Sequence, residues 1–356
     1  MNKIIISIIF LLALAISWIS SSRGFDNSPN WVDPKDKSKG QKEYNREKAI
    51  QGEYFGGHDT ITAEGMMLKK DVHKGDKPFE DFANEALPSL RIGAHDEDTS
   101  EWLNWYINDP PIGENGWGDF FQHFYNPDTG KGLKGIWNPS TKRAKDYTEE
   151  IKKLFCKIQN APIKEEDKRK LYDYFGRILH LLQDMAVPSH TKDDIHAYTK
   201  PFETYVNDHW NEVVNLDGFK EDVTVDKYLS GNCAHNAQGV YQLMVGLSKI
   251  SHKYPSEEEL YDRFVDEEGS IYRVLNRERL LKNVEELVPE AIQYTGCYVD
   301  AVYKLVSEPA DQSDCMKSLL NFYDTGPGGD NPDDRFDVSD EFYEKLCLNA
   351  PTFSRG

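Results

Sequence analysis

The segment GRILHLLQDMAVPSH, residues 176–190, decides how this chain is expected to fold. Apolar residues recur in it at helical spacing, and His180 and Asp184 are four positions apart, so they share one helical face. Pro188 cannot continue that helix and turns the chain, which lets His190 reach back from the following loop. Two imidazoles and a carboxylate are ligands that zinc accepts. The segment therefore predicts a helix that carries part of a metal site.

Helical periodicity dominates the rest of the chain. The central helix is predicted from about 162 to 187, with Pro162 and two glutamates in its first turn. Strand-like alternation is weak everywhere, and residues 92–140 are expected to form long loops with short helices. Further helices are predicted over 141–159, 201–214, 234–251 and 278–306. We therefore expect an all-α fold, a single multi-helix domain with long loops around a metal cleft.

The two ends of the chain differ from this body. Residues 1–22 have the layout of a secretory signal peptide: Lys3, an apolar run and three serines. The run is shorter than the roughly 20 residues that a membrane-spanning helix needs, so we expect a secreted or periplasmic protein with no transmembrane segment after cleavage. We expect a flexible leader over 23–50, the helical domain over 51–325, and a linker with a short C-terminal helix over 326–356.

Charge and cysteine content exclude some classes of protein. The 61 acidic residues exceed the 42 basic ones, giving a formal net charge of −19, which disfavours a nucleic-acid partner. None of the five cysteines is in a CxxC pair, which argues against a cysteine-based zinc site. Export permits disulfides, and the odd number leaves at least one thiol unpaired.

An isolated HxxxD motif would be explained by a core histidine bonded to a buried carboxylate. Three other segments favour a metal site instead. HFYNPDTGKG, which begins at His123, has the composition of a rigid turn. GAHDED, residues 93–98, adds acidic residues upstream of it. In PFETYV, Glu203 is the only charge among mostly apolar neighbours, and a buried glutamate needs a cation or a donor.

HLLQDMAVPSH together with HFYNPDTG resembles the bacterial zinc-dependent phospholipase C family, whose superfamily also contains the single-strand-specific zinc nucleases. The resemblance covers roughly residues 55–305. It implies a helical domain of the zinc-dependent phospholipase C type, with two or three zinc ions in its cleft. It also implies a phospholipid substrate, met at a membrane surface and hydrolysed by a metal-activated water.

The resemblance also implies a set of metal ligands. Asp98 would orient or deprotonate the attacking water, as ligand or base, with Asp96 as the alternative. The other implied ligands are His123, His180 and Asp184 for the first zinc, His190 and Glu203 for the second, and His58 with the bridging Asp184 for the third.

The chain departs from the family at two places. The family has a histidine four residues before the glutamate that matches Glu203, where this chain has Thr199. His196 is our substitute ligand, with His209 as the second choice. The family's N-terminal tryptophan ligand has its counterpart in Trp31, which lies further from His58 than the family pattern places it.

Two alternatives to a phospholipase remain open. A zinc nuclease would want a basic groove, which the acidic composition argues against, and the nuclease branch has a glycine-rich stretch where this chain has TKDDIHAYTKPFE. A non-catalytic metal-binding envelope protein would tolerate the change at Thr199. Two or three zinc ions per chain would favour an enzyme.

Overall fold

The computed structural model describes residues 57–104, 122–135, 138–159, 164–192, 194, 200–231, 239–266, 269–307 and 322–323, without the side chains of 96, 98–104 and 156–159. The α-helices in these ranges are α1 (Gly57–Val72), α2 (Lys77–Asn104), α3 (Ser140–Gln159), α4 (Glu165–Asp184), α5 (Pro188–Thr191), α6 (Pro201–Asp208), α7 (Trp210–Val213), α8 (Asp217–Asp222), α9 (Val225–Ser230), α10 (Val240–Ser251) and α11 (Arg277–Ser307). Short 3₁₀ turns cover Leu133–Gly135 and Glu258–Leu260. Strands β1 (Tyr261–Val265) and β2 (Ile271–Leu275) pair antiparallel.

The predicted all-α class is confirmed, since this hairpin is the single sheet of the described part of the chain. Helix α4 is the centre of the fold, since α2, α3 and α11 all pack against it. Acidic residues in its first turn complement the helix dipole. From Leu171 onward its residues are almost all buried, including the apolar Phe175, Ile178 and Leu182. The helix that carries the HxxxD motif is therefore enclosed by other helices.

Two glycines allow α2 and α4 to touch backbone to backbone. A Cβ at Gly93 would lie 2.0 Å from the carbonyl oxygen of Asp173, and one at Gly176 would lie 2.3 Å from that of Leu90. Neither position can accept a side chain without separating the helices. This close approach brings the backbone of α2 to the face of α4 that carries His180.

The sequence-based helix boundaries were partly wrong. The central helix ends at Asp184 rather than 187, and Pro188 begins the short helix α5, so His190 lies in a helical turn and not in a loop. The predicted helix over 201–214 is divided into α6 and α7. The 141–159 and 278–306 predictions agree with α3 and α11 to within one residue, and the described end of the 234–251 prediction agrees with α10.

The expectation of loops with short helices over 92–140 was wrong for residues 92–104 and agrees with the described residues between 122 and 139. GAHDED belongs to α2, which continues to Asn104 and accommodates Pro88 within it. Helices α1 and α2 and the β1–β2 hairpin were not predicted. The hairpin is only partly packed on the body, and Val265 and Ile271 near its end are exposed. Since burial imposes no alternation on this hairpin, its strands have little sequence signal.

The predicted signal peptide, leader and C-terminal linker lie outside the described residues, so the domain division stays a prediction. No helix among the described residues combines the length and apolar character needed to cross a membrane. Cys297, buried in α11, is disulfide-bonded to a cysteine whose side chain is outside the described part.

Candidate metal centre

Helix α4 contributes the two residues at the middle of the site. His180 and Asp184 are one turn apart and fully buried, and their Nε2 and Oδ2 atoms are 3.3 Å apart. His58 and His123 join them, from the first turn of α1 and from the segment before α3. We call His58, His123, His180 and Asp184 the primary cluster. Its side chains are all 0–4% exposed.

Gln183 fixes the orientation of the His58 ring. Its amide nitrogen donates to the hydroxyls of Thr62 and Thr295, at 3.0 and 3.2 Å. Its amide oxygen therefore accepts from Nδ1 of His58, at 2.9 Å. With the proton on Nδ1, the neutral ring has its Nε2 lone pair on the other side, where Asp184 Oδ1 lies 3.5 Å away.

His180 is oriented in the same way by the backbone of α2. The carbonyl oxygen of Ala94 accepts from His180 Nδ1 at 2.7 Å. This bond depends on the close approach of α2 and α4, since Ala94 directly follows the contact glycine Gly93. The neutral His180 ring consequently turns its Nε2 lone pair toward Asp184, as His58 does.

His123 approaches from the turn that the HFYNPDTG composition predicts. The backbone N–H and C=O of Asn126 pair with Lys131, and the Asn126 side chain accepts from the N–H groups of Asp128 and Thr129. The Phe124 carbonyl accepts from Ser140 N–H, which joins the turn to α3. His123 Nδ1 lies 2.7 Å from Asp184 Oδ2 and 3.3 Å from His180 Nε2.

The two carboxylate oxygens of Asp184 lie near four imidazole rings, two for each oxygen. Oδ2 faces His123 and His180, while Oδ1 faces His58 and His190, each at 3.5 Å. Burial raises the pKa of the Asp184 carboxyl, but the surrounding imidazoles, His180 and His190 first, lower it by more than burial raises it, so its pKa lies well below the usual range. A carboxylate that faces a different pair of imidazoles with each oxygen has the arrangement of a bridging ligand.

The primary cluster is better suited to a metal ion than to extra protons. The rings of His58 and His180 stack with centroids 3.7 Å apart, so protonating both would put two positive charges face to face. Nitrogen and oxygen atoms of His58, His180 and Asp184 lie within 4.8 Å of one another, close enough for one ion to bind all three. A cation between the lone pairs and the carboxylate would satisfy all of them.

A second group of candidate ligands adjoins this cluster. His190 Nε2, in α5, is 3.5 Å from Oε1 of Glu203, in α6, and both side chains are buried. The other oxygen of Glu203 is 3.4 Å from the ammonium of Lys200. Phe124 stacks on the His190 ring, at 4.7 Å between centroids. We call His190 and Glu203 the secondary pair; Asp184 Oδ1 connects it to the primary cluster.

A buried network of charges is centred on Glu97 of α2. Glu97, one turn beyond Ala94 in α2, accepts from the guanidinium groups of Arg143 and Arg177 and from the hydroxyl of Tyr147. Burial raises the pKa of Glu97, but the two arginines, His123 and His180 lower it more strongly, to about 2. This network holds the part of α2 around Glu97 against α3 and α4.

The other sequence-predicted ligands have different outcomes. Asp98 and Asp96 belong to α2, but their side chains lie outside the described residues. His196 and Thr199 also lie outside them. His209, the second choice to replace the family histidine, is exposed at the end of α6 and stacks on Tyr205.

Sequence reasoning missed the residues that orient the ligands. Gln183 had a usable signal, since it is a polar residue inside the apolar run of HLLQDMAV. Glu97, Arg143 and Arg177 had none, because charged residues on helices are usually solvated and only the fold buries these three.

No protein-family model and no curated protein matches the chain. Its fold is similar to that of the alpha toxin from Clostridium absonum, with a TM-score of 0.46 and 14% identity over 72% of this chain and 65% of the toxin. It is also similar to the alpha-toxin of Clostridium perfringens from avian strain SWCP, with a TM-score of 0.43 and 13% identity over 68% of this chain and 62% of the toxin. The chain thus spans less than two thirds of the length of either toxin.

Proposed function

We propose that this chain is a secreted zinc-dependent phosphoric diester hydrolase that cleaves glycerophospholipids in the manner of a phospholipase C. One observation carries the proposal: Gln183 and Ala94 fix two imidazoles so that both Nε2 lone pairs face the buried Asp184 carboxylate.

The donor atoms available here fit zinc. Imidazole nitrogens with carboxylate oxygens are ligands of zinc, whereas calcium and magnesium prefer oxygen alone. His58 and His180 each donate a hydrogen bond from Nδ1–H to an acceptor, which is usual for zinc-bound histidines. The proposal assigns two or three zinc ions to the primary cluster and the secondary pair, with Asp184 between them.

The proposed reaction gives separate roles to the bound zinc, to Asp98 and to the burial of the primary cluster. Bound zinc would supply positive charge for the phosphate oxygens and lower the pKa of a water molecule to about 7. By the family resemblance, Asp98 of α2 would orient or deprotonate the attacking water, with Asp96 as the alternative. Burial of the primary cluster keeps bulk water away from the ligands, which strengthens their electrostatic interactions.

The preference for a phospholipid rests on the resemblance and on charge. A net charge of −19 repels a polyanion more strongly than it repels a zwitterionic phospholipid such as phosphatidylcholine. A single-strand nuclease is the competing enzyme, and a non-catalytic metal-binding protein is the competing non-enzyme.

The test compares two substrates with and without metal. Purified mature protein is incubated with phosphatidylcholine vesicles and with single-stranded DNA, in zinc-containing buffer and with excess chelator. We expect release of phosphocholine and diacylglycerol, at least tenfold slower cleavage of DNA, loss of both activities with chelator, and recovery when zinc is restored. Faster cleavage of DNA would replace the phospholipase by the nuclease.

Two variants separate the site from general damage. H180A removes a primary-cluster ligand and should lower activity roughly 10³-fold, since metal catalysis contributes several kcal/mol and 1.36 kcal/mol is a factor of ten. H73A is the matched control: His73 is a half-buried histidine in the turn that follows α1, where it contacts Asp300 and stacks on Phe79. Chelator-resistant cleavage, or a zinc-free inactive wild type, would exclude the proposed function.

A further inference from the structure

Glu257 is a buried acid that the proposed reaction does not use. It precedes the 3₁₀ turn Glu258–Leu260, is 2% exposed, and has exposed acidic neighbours at Glu258 and Glu259. An acid kept in so unfavourable a place needs a reason that an apolar residue would not supply.

The contacts of Glu257 join the two halves of the secondary pair. Its backbone N–H donates to the hydroxyl of Ser189 at 2.9 Å. Its carboxylate accepts from the backbone N–H of Phe202, at 3.3 and 3.4 Å to the two oxygens. Ser189 immediately precedes His190, and Phe202 immediately precedes Glu203. One residue therefore contacts the chain next to each of the two ligands.

The helices that carry these ligands need such an anchor. Helix α5 has four residues and α6 has eight, too few for either helix to be stable by itself. The Tyr125 N–H donates to the His190 carbonyl and fixes α5 on one side. Glu257 fixes it on another side and also contacts the first turn of α6, where a carboxylate interacts favourably with free backbone N–H groups.

We propose that Glu257 is a positioning residue that holds His190 and Glu203 at the separation in which they bind one metal ion together. The inference rests on the proposed function, since it concerns the second of the proposed zinc ions. Glu257 acts through Ser189 and Phe202 and does not itself touch the ion or the substrate. Its loss should therefore release the ion of the secondary pair and leave that of the primary cluster in place.

The experiment measures zinc content and zinc affinity of the full mature chain, with E257L, E257Q and the neighbouring control E258L. We expect E257L to hold one zinc fewer than the wild type, with the remaining affinity unchanged. E257Q keeps an amide oxygen that accepts from Phe202, so it should retain the second ion within about threefold in affinity. E258L changes an exposed acid bound to Arg273 and should match the wild type.

S189A provides an independent measurement if E257L does not fold. It removes only the hydroxyl acceptor of the Glu257 N–H, and we expect the second zinc to bind roughly 10-fold more weakly, a typical effect of losing a partner behind a ligand. Wild-type zinc binding by E257L, or by S189A where E257L does not fold, would overturn the inference. Loss of the second ion from E257Q as well as from E257L would also overturn the inference, because the charge of Glu257 and not its position would then matter.

The failures of the inference and of the proposed function are distinguishable. A wild-type chain that binds no zinc overturns both together. A wild-type chain with two or three zinc ions, whose E257L variant keeps all of them, overturns the positioning role alone. A variant that is less stable in urea but fully loaded with zinc would show that Glu257 contributes only to folding.

Discussion

The primary cluster and the secondary pair are built with different degrees of support. In the primary cluster, two histidines each donate a ring proton to a fixed acceptor, Gln183 Oε1 or the Ala94 carbonyl. Long helices hold both acceptors and ligands. The secondary pair lies on two short helices, and the chain between them is mostly outside the described residues. The first site depends on the global fold, and the second depends on a few local contacts.

This difference indicates how the two sites should respond to change. The primary cluster should lose zinc only when a ligand or a buried hydrogen-bond partner of a ligand is removed, since every member is held from several directions. The secondary pair should be sensitive to the hydrogen bonds made by the chain beside it, because neither short helix is stable by itself. Asp184 is common to both, as its oxygens face the two groups separately.

Asp184→Asn should have the largest effect, because it acts on both groups at once. The amide has one oxygen and no charge, so it cannot bridge between two ions. We expect activity to fall by at least about 10³-fold, the scale of metal catalysis. Zinc content should fall below one ion per chain. Asp173→Asn on the same helix, where the side chain pairs with Arg177, is the matched control and should keep its zinc. Full zinc content in D184N would contradict the bridging role.

Glu97→Gln should have the next largest effect, on stability rather than on chemistry. Removing the charge leaves Arg143 and Arg177 buried without their common carboxylate, which costs about 3–5 kcal/mol. The free energy of unfolding is measured in urea at pH 7. Glu85→Gln, an exposed acid of the same helix paired with Lys168, should change it by less than about 1 kcal/mol.

The pH dependence of this effect follows from the lowered pKa of Glu97. Its folded pKa of about 2 lies below the ordinary value of 4.5, so its contribution is complete above pH 4.5 and is lost as the pH falls toward 2. The difference in stability between wild type and E97Q should therefore be smaller at pH 3 than at pH 7. An equal difference at both pH values would show that the charge of Glu97 does not contribute.

The sequence was informative where burial and periodicity coincide. The HxxxD helix, α3 and α11 have apolar stripes that favour one interpretation, and their positions follow from the pattern alone. The structure brings His58, His123, His180, Asp184, His190 and Glu203 together, but the resemblance and not the spacing connected them. Spacing relates residues of one helix, and these ligands lie in five separate segments.

Other features could not be predicted because they depend on tertiary contacts. Helix α2 contains Pro88 and the acidic segment GAHDED, which has the composition of a loop, and its packing on α4 through Gly93 and Gly176 outweighs that tendency. Likewise nothing in the sequence of Glu257 separates it from its exposed neighbours. Its burial is set by α5 and α6, which follow one another some 60 residues earlier.

His196→Ala tests the substitute ligand of the secondary pair. The family histidine is replaced by Thr199 here, and if His196 takes its role, its loss should weaken the second zinc roughly 100-fold. Changing a residue behind a metal ligand typically weakens metal binding about 10- to 100-fold. We take the upper value because a ligand itself is lost here. His209→Ala is the control, because His209 is exposed and stacks on Tyr205. The zinc affinity of both variants is measured by chelator competition. Identical affinities for the two variants would remove His196 from the site.

Gln183→Leu should have the smallest effect and shows whether the primary cluster is as well supported as its contacts indicate. Leucine has nearly the volume of glutamine but cannot accept from His58 Nδ1, so that ring is free to change its tautomer. We expect zinc affinity of the primary cluster to fall roughly 10-fold while the secondary pair keeps its ion. The change should be small because Asp184 and the stacked His180 ring still hold His58. If Q183L instead binds no zinc at the primary cluster, then zinc binding there depends on one amide. The primary cluster would in that case be no better supported than the secondary pair.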